Sequence, residues 1–197
     1  MRIQQKVKEF KEARVHNGAA FAVDNTTGEI LLWVGNTSFY DEEHSGQIDG
    51  VLVKNQPGSS MKPFLYALSL EKGFTPSAVL PDIQQDFGGS GVYVPLNFNN
   101  RFNGPVLFRV SLASSLNVPA VYLLYSIGVD AYMERLLSLG FTSLEGKREE
   151  MGLSLALGAG EVTLYEMVRA FTVFANDGFL ISSPSFLKTS PRFVSKK

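Results

Sequence analysis

Apolar side chains recur at helical spacing in a segment that begins after Gly58. They lie at Met61, Phe64, Leu65 and Leu68, an i, i+3, i+4, i+7 series. The series predicts a helix with one buried face. Pro63 fits in its first turn, where backbone N–H groups have no partner within the helix, and Lys72 with Gly73 supplies a basic last turn and a stop.

Other segments show the same kind of pattern. The charged N-terminus carries apolar residues at helical spacing, Ile3, Val7 and Phe10. Further helices are predicted from about Val118 to Ile127 with Gly128 as the stop, from an Asp130 cap to Gly140, and from a capping box of Thr163 and Glu166 to the turn at Asn176 to Gly178.

Two β-rich runs flank a cluster of turn residues near the N-terminus. The runs are Ala19 to Val23 and Glu29 to Val34, so we expect an antiparallel hairpin. The polar, glycine-rich stretches Ser38 to Lys54 and Leu80 to Pro105 are expected to be long loops, which usually wall a functional site. A small sheet followed by a helical majority predicts the α+β class.

Composition excludes several kinds of site. The chain has 197 residues, 45% of them hydrophobic, which is enough for the core of one domain or of two small ones. Its 18 basic and 19 acidic residues form no long block of one sign, so we expect no nucleic-acid partner. Without cysteine there are no disulfides, thiolate zinc sites or cysteine nucleophiles, and neither His16 nor His44 has a ligand-spaced partner, so we expect no metal and no cofactor.

The same patterns bear on the membrane. The N-terminus lacks the continuous apolar core of a signal peptide. The most apolar stretch, from Ser115 to Val129, contains a proline and several polar residues. We therefore expect neither an export signal nor a membrane anchor in this chain.

A Ser-x-x-Lys motif occurs three times, as Ser59 with Lys62, Ser69 with Lys72, and Ser185 with Lys188. The spacing places serine and lysine one helical turn apart, where a buried, neutral amine can take the serine proton. For any single pair, the commoner explanation is a capping or surface serine beside a solvated lysine. Only Ser59 is predicted at a helix N-terminus, where free N–H groups and the helix dipole stabilise an oxyanion.

A second motif is Ser115-Leu116-Asn117, at a predicted loop-to-helix junction. Both polar side chains can point the same way around Leu116. Serine and asparagine also favour helix caps, so the motif alone does not establish a site. Together with Ser59 and Lys62 it makes a more specific pattern than either motif alone.

The chain resembles the transpeptidase domain of class A penicillin-binding proteins, and within it the penicillin-binding protein 1C type. The resemblance rests on GAAFAVDNTTGEILLWVG, QPGSSMKPFLYALSLEKG, LPDIQQDF, PLNFNNRFNGPVLFRVSLASSLNVPAVYLL and LALGAGEVTLYEMVRAFTVFANDG, and covers about residues 18–180. It implies a penicillin-binding and β-lactamase-like fold, with a helical majority and an antiparallel sheet.

The resemblance also implies roles for the motif residues. Ser59 would be the acylated nucleophile and Lys62 its general base, while Ser115 would relay the proton to the leaving amine. Asn117 would bind the substrate amide and help to hold Lys62 neutral. The partners implied are a peptidoglycan stem peptide and β-lactams, at the periplasmic face of the inner membrane.

One element of the family pattern is absent from the sequence. The third motif, Lys-Thr-Gly or Lys-Ser-Gly, is missing, and Lys188-Thr189-Ser190 lacks its glycine and lies beside Pro191. We therefore expect residues 1–197 to be a single partial transpeptidase domain, cut off before its last strands, with residues 181–197 as a tail. The missing C-terminal part, or an upstream glycosyltransferase portion, would then be a partner.

Two alternatives to a transpeptidase remain open at this point. A catalytically inactive remnant that binds peptidoglycan or a partner would fit the missing third motif. A β-lactamase-like serine hydrolase is disfavoured, because no glutamate-containing deacylation loop can be recognised between Ser115 and Gly140.

Overall fold

A computed structural model describes residues 2–88 and 91–181. The chain forms two compact units. Of the described residues, 2–54 and 162–181 belong to the first unit, and 55–88 and 91–161 belong to the second. The predicted tail, the pair Ser185 and Lys188, and the Lys188-Thr189-Ser190 sequence lie outside the described residues.

The secondary structure follows the chain in this order. The helices are α1 (Arg2–Glu9), α2 (Lys62–Glu71), α3 (Phe108–Ala113), α4 (Asn117–Ile127), α5 (Val129–Ser138), α6 (Arg148–Met151) and α7 (Leu164–Phe171). The strands are β1 (Ala20–Val23), β2 (Ile30–Val34), β3 (Val79–Asp82) and β4 (Gly104–Leu107). Short 3-10 helices lie at Lys11–Ala13, Gly58–Met61, Thr142–Leu144, Gly152–Leu157 and Thr172–Ala175.

The first unit contains the predicted hairpin. Strands β1 and β2 pair antiparallel, with Phe21 opposite Trp33. The turn between them is held by the Asp24 carboxylate, which accepts the backbone N–H groups of Thr26 and Thr27 at 2.8 and 2.7 Å. These bonds favour the ionised carboxylate and lower the pKa of Asp24. The hairpin prediction is confirmed.

The core of the first unit forms where this hairpin meets α7. Phe21 and Val51 are buried, and Trp33, Tyr165 and Val168 pack against them. The indole N–H of Trp33 donates to the Asp49 carboxylate at 2.8 Å, which satisfies its polar atom at the edge of the core. Helix α7 begins with the predicted capping box, in which Thr163 and Glu166 satisfy each other's backbone N–H groups.

The core of the second unit is helical. Helices α2 and α4 contact each other, and both contact α5. Two buried tyrosines connect these helices to their neighbours. The Tyr132 hydroxyl donates to the Met61 carbonyl at 2.9 Å, and the Tyr66 hydroxyl bonds Ser111 Oγ at 2.9 Å. Burial raises the pKa of Tyr66 to about 12 and also raises the pKa of Tyr132, so both phenols are neutral at ordinary pH.

Helix α2 agrees with its prediction at both ends, with one refinement. Pro63 lies in the first turn, and Gly73 ends the helix with a positive φ of 101°. The α-helix starts at Lys62 because Gly58–Met61 form a 3-10 turn, so Ser59 precedes the α-helix by one turn. Helix α5 begins at Val129 with Gly128 as its cap, so Asp130 lies in the first turn and the predicted Asp130 cap is wrong.

The stretch Leu80–Pro105, predicted to be irregular throughout, carries regular structure at its ends. Strands β3 and β4 pair antiparallel and place Pro81 opposite Pro105. Proline has no N–H, so this is a facing pair that exchanges no hydrogen bonds, a position at which proline is tolerated. Each of these short strands contains a proline, which has low strand propensity, so neither strand was predicted from the sequence. Helix α3 was not predicted either.

The structure adds one observation about membranes. None of the helices in residues 2–88 and 91–181 is both long and apolar enough to cross a bilayer.

Candidate active site

Ser59 lies in the 3-10 turn that leads into α2. Its side chain is exposed, and its carbonyl accepts the backbone N–H of Lys62, which closes the turn. Gly58, directly before it, has a positive φ of 56°. The N–H groups of Ser60 and Lys62 are bonded to the Pro57 and Ser59 carbonyls, so the N–H groups ahead of Ser60 are the ones in this turn that are placed to donate to an oxyanion.

Lys62 is the central buried residue of the site, with 1% of its surface exposed. Its Nζ lies within hydrogen-bonding distance of four acceptors of the Ser115–Asn117 segment. These are the Ser115 carbonyl at 2.6 Å, the Asn117 side-chain oxygen at 2.8 Å, the Leu116 carbonyl at 3.1 Å and Ser115 Oγ at 3.3 Å. An ammonium has three hydrogens to share among these four acceptors, so its position is closely defined.

Burial also changes the chemistry of this amine. It lowers the pKa of Lys62 from its usual value of 10.5 to about 8, because the charged form loses hydration. An ordinary lysine is almost wholly protonated at neutral pH, whereas a substantial fraction of Lys62 is neutral just above it. An amine whose pKa lies this close to neutral pH can serve as a general base.

Ser115 has an unusual backbone conformation. Its φ is +52°, in the left-handed region that a residue with a Cβ rarely adopts. Leu116 and Asn117 then turn into α4, which begins at Asn117. The strained turn directs both the carbonyl and the hydroxyl of Ser115 toward Lys62 Nζ.

Asn117 makes hydrogen bonds through its side-chain oxygen, its side-chain nitrogen and its backbone N–H. Its side-chain oxygen accepts from Lys62 at 2.8 Å, and its side-chain nitrogen donates to the Leu96 carbonyl at 2.8 Å. Its backbone N–H donates to the Asn97 side-chain oxygen at 2.8 Å. Because the donor end of the amide is already bonded to Leu96, the oxygen must face the lysine.

The structure brings three of the four predicted residues into one hydrogen-bonded cluster, namely Lys62, Ser115 and Asn117. Ser59 is one helical turn from Lys62, and its hydroxyl makes no hydrogen bond within the described ranges. The second Ser-x-x-Lys pair is different. Ser69 is fully buried and donates to the Leu65 carbonyl at 2.8 Å, the back-bonding of a structural helix serine.

Sequence reasoning missed the residues that support this cluster. Asn97 and the buried Asp82 connect to Asn117, and Gly158 packs against the backbone before Ser59. A signal for Asp82 was present, since a lone carboxylate directly after an apolar run has to find partners if it is buried. Nothing in the sequence indicated which residues those partners would be.

Residues 2–88 and 91–181 contain no set of side chains arranged as metal ligands. No group of three or more histidine or acidic side chains is placed there to hold an ion. His16 and His44 stack with ring centroids 3.9 Å apart, and the Nδ1 of His44 bonds Asp41, an arrangement in the first unit away from Lys62 in the chain.

Comparison with known proteins identifies the family. The family model for the penicillin binding protein transpeptidase domain matches residues 18–195. Penicillin-binding protein 1A of Neisseria meningitidis serogroup A is 35% identical over 170 residues, which are 84% of this chain and 21% of that protein. Penicillin-binding protein 1C of Escherichia coli K12 is 34% identical over 161 residues, which are 81% of this chain and 20% of that protein. The chain thus spans about a fifth of the length of the curated relatives it matches.

The fold agrees with this assignment. The crystal structure of penicillin-binding protein 1A from Haemophilus influenzae superimposes with a TM-score of 0.74 at 36% identity, over 85% of this chain and 24% of that one. The predicted family and fold are confirmed, and relatives of the 1A and 1C types match at similar identity. The chain therefore belongs to the penicillin-binding protein transpeptidase family of class A and carries its penicillin-binding and β-lactamase-like fold.

Proposed function

We propose that this chain is a D,D-transpeptidase domain that acts on peptidoglycan stem peptides by serine acyl transfer, with Ser59 as the nucleophile. The observation that carries the proposal is the buried Lys62 amine. It is held by Ser115 and Asn117, one helical turn from the exposed Ser59 hydroxyl. Burial that lowers the pKa of Lys62 to about 8 makes this amine a base at the pH where serine by itself is unreactive.

In the first step, Ser59 Oγ attacks the carbonyl carbon of the D-Ala–D-Ala peptide bond. The hydroxyl proton passes to the neutral Nζ of Lys62, and the negative charge builds on the carbonyl oxygen. The first N–H groups of the 3-10 turn favour that charge, although each contributes only when it is correctly aimed. Asn117 aligns the peptide amide.

In the second step, the carbon–nitrogen bond breaks and the terminal D-alanine leaves. Its amine takes the proton from Lys62 through the Ser115 hydroxyl, and an ester on Ser59 remains. The amine of a neighbouring stem then attacks the ester, a new peptide bond forms, and Ser59 recovers its proton. A β-lactam would open its ring on the same serine, and because its leaving amine stays attached, the ester would persist.

The proposed substrate also defines the location. Peptidoglycan stems lie outside the cytoplasmic membrane, so this domain would act on the periplasmic side. Family membership supports stem peptides and β-lactams as its ligands.

The test is covalent labelling of the 197-residue chain with a fluorescent penicillin, measured by intact mass. Wild type is compared with Ser59→Ala and with the control Ser60→Ala, since Ser60 is the exposed neighbouring serine of the same turn. A stoichiometric adduct on wild type and Ser60→Ala that is absent from Ser59→Ala would support the proposal. A folded wild type that forms no adduct, or an adduct that survives in Ser59→Ala, would overturn it.

A further inference from the structure

Asp82, the last residue of β3, is a fully buried carboxylate. Three N–H donors from the connection between β3 and β4 converge on it. They are the side-chain nitrogen of Asn97 at 2.7 Å, the backbone N–H of Asn103 at 2.9 Å and the side-chain nitrogen of Asn103 at 2.6 Å. The two Asn103 groups share one carboxylate oxygen, and Asn97 bonds the other. The carboxylate therefore fixes both asparagines relative to the end of the strand.

Asn97 transmits this anchorage toward the site. Its side chain is 4% exposed, and its nitrogen also donates to the Arg101 carbonyl at 2.8 Å. With both donors bonded, its oxygen faces the start of α4, where it accepts the backbone N–H of Asn117 at 2.8 Å. The residue preceding α4 supplies no side-chain cap, so Asn97 caps this helix from a distant part of the chain.

The segment around Asn97 holds Asn117 at two points. Asn97 binds its backbone, and the Leu96 carbonyl binds its side-chain nitrogen at 2.8 Å. These contacts leave the side-chain oxygen of Asn117 and the second N–H of its side-chain nitrogen for the site, and the oxygen accepts from Lys62. A continuous series of hydrogen bonds thus runs from Asp82 through Asn97 and Asn117 to the Lys62 amine.

We propose that Asp82 and Asn97 are positioning residues, which hold Asn117 and through it the Lys62 amine in the geometry needed for acyl transfer. The inference rests on the proposed function, because that function gives Lys62 and Asn117 their roles. It also gives a task to the long connection between β3 and β4. Its residues complete the Ser-x-Asn motif instead of merely bordering it.

The number of donors around Asp82 makes the position specific for a carboxylate. An asparagine at position 82 offers one acceptor oxygen, whereas donors approach both oxygens of Asp82. The substitution Asp82→Asn therefore breaks the contact with either Asn97 or Asn103. Once Asn97 is released, Asn117 no longer holds its side-chain oxygen firmly against the Lys62 amine, and loss of that acceptor disfavours the ammonium form of the lysine.

The experiment compares wild type with Asp82→Asn and with a matched control, Asp86→Asn. Asp86 is an exposed aspartate of the same connection, whose carboxylate accepts the N–H groups of Gly88 and Tyr93 at 2.9 Å. The first measurement is the titration of Lys62 by nuclear magnetic resonance of 13Cε-labelled lysine, assigned with Lys62→Arg. The second is the rate of acylation by fluorescent penicillin.

We expect Asp82→Asn to move the midpoint of the Lys62 titration to lower pH and to slow acylation by about 10²-fold, the cost of misplacing a reacting group by about 1 Å. The Asp86→Asn control should change neither. If Asp82→Asn does not fold, Asn97→Ala is the milder variant, because it leaves both Asn103 contacts with Asp82 in place. It should also lower the titration midpoint.

Two results would overturn the inference. One is a folded Asp82→Asn or Asn97→Ala whose Lys62 titrates as in wild type. The other is a Lys62 titration midpoint that shifts by the same amount in Asp86→Asn. Such a result would mean that loss of any nearby negative charge moves the midpoint, without a positioning role for Asp82. The titration needs no penicillin, so a wild type that fails to label would count against the proposed function and leave this test intact.

Discussion

Gly158 packs directly against the backbone of Gly58, the residue before Ser59. A Cβ added to Gly158 would lie 2.6 Å from the Gly58 Cα, closer than real Cβ atoms approach. Gly158 also has a positive φ of 77°, at the end of the 3-10 helix Gly152–Leu157. Gly158, the first glycine of LALGAG, therefore lets one turn of the chain support the turn that carries the serine.

The substitution Gly158→Ala should displace the Gly58–Met61 turn and lower the acylation rate of Ser59 by about 10²-fold. The matched control is Gly146→Ala, since Gly146 has a similar positive φ of 73° but open space around its Cα. Both variants carry the backbone strain of alanine in the left-handed region, so their difference isolates the steric contact. Equal acylation rates in two folded variants would contradict the supporting role of Gly158.

Acylation of wild type should depend on pH through Lys62. Because the neutral amine is the active form and the pKa of Lys62 is about 8, the rate should rise about tenfold from pH 6 to pH 7 and level off above pH 8. Stopped-flow measurements with a chromogenic penicillin would show the profile. A rate that is constant from pH 6 to pH 9 would exclude Lys62 as the base.

Stability should also depend on pH through Lys62. The pKa is lower in the folded chain, about 8, than the usual 10.5, so between these values the unfolded chain binds more protons. The free energy of unfolding must therefore rise with pH across this window. We expect wild type to gain stability relative to Lys62→Met between pH 8 and pH 10, measured by urea denaturation. The opposite trend would show that burial does not disfavour the ammonium.

Two substitutions at Ser115 should separate its backbone from its hydroxyl. Glycine accepts the φ of +52° without strain, whereas alanine does not, so Ser115→Gly should be more stable than Ser115→Ala by about 1 kcal/mol. Both lose the hydroxyl that contacts Lys62, and both should acylate about 10²-fold more slowly than wild type. If Ser115→Gly is acylated at the wild-type rate, the Ser115 hydroxyl does not relay the proton. Thermal denaturation of the two variants tests the expected order of their stabilities.

Much of the fold could be predicted because it depends on neighbours in sequence. The Asp24 turn, the first turn of α2 with Pro63, and the capping box of Thr163 with Glu166 are all made by residues within a few positions of each other. Their physical causes act locally, so a sequence pattern records them. The grouping of Lys62 with Asn117 was predicted through the family resemblance.

The unpredicted parts depend on contacts between distant residues. Strands β3 and β4 pair across more than twenty residues, and each contains a proline that propensity counts against a strand. Asp82 and Asn97 come within hydrogen-bonding distance only when these two strands pair, so their role is not visible in the sequence. A glycine such as Gly158 looks like any loop glycine until its distant neighbour Gly58 is known.

The placement of Trp33 gives the chain a built-in optical reporter. It is the single tryptophan of the 197 residues, and it lies in the first unit with its indole bonded to Asp49, while Ser59 and Lys62 lie in the second. Fluorescence from the selectively excited indole therefore reports unfolding of the first unit, and loss of penicillin labelling reports unfolding of the second. Two transitions recorded on one sample would thus reveal whether both units come apart in a single cooperative event.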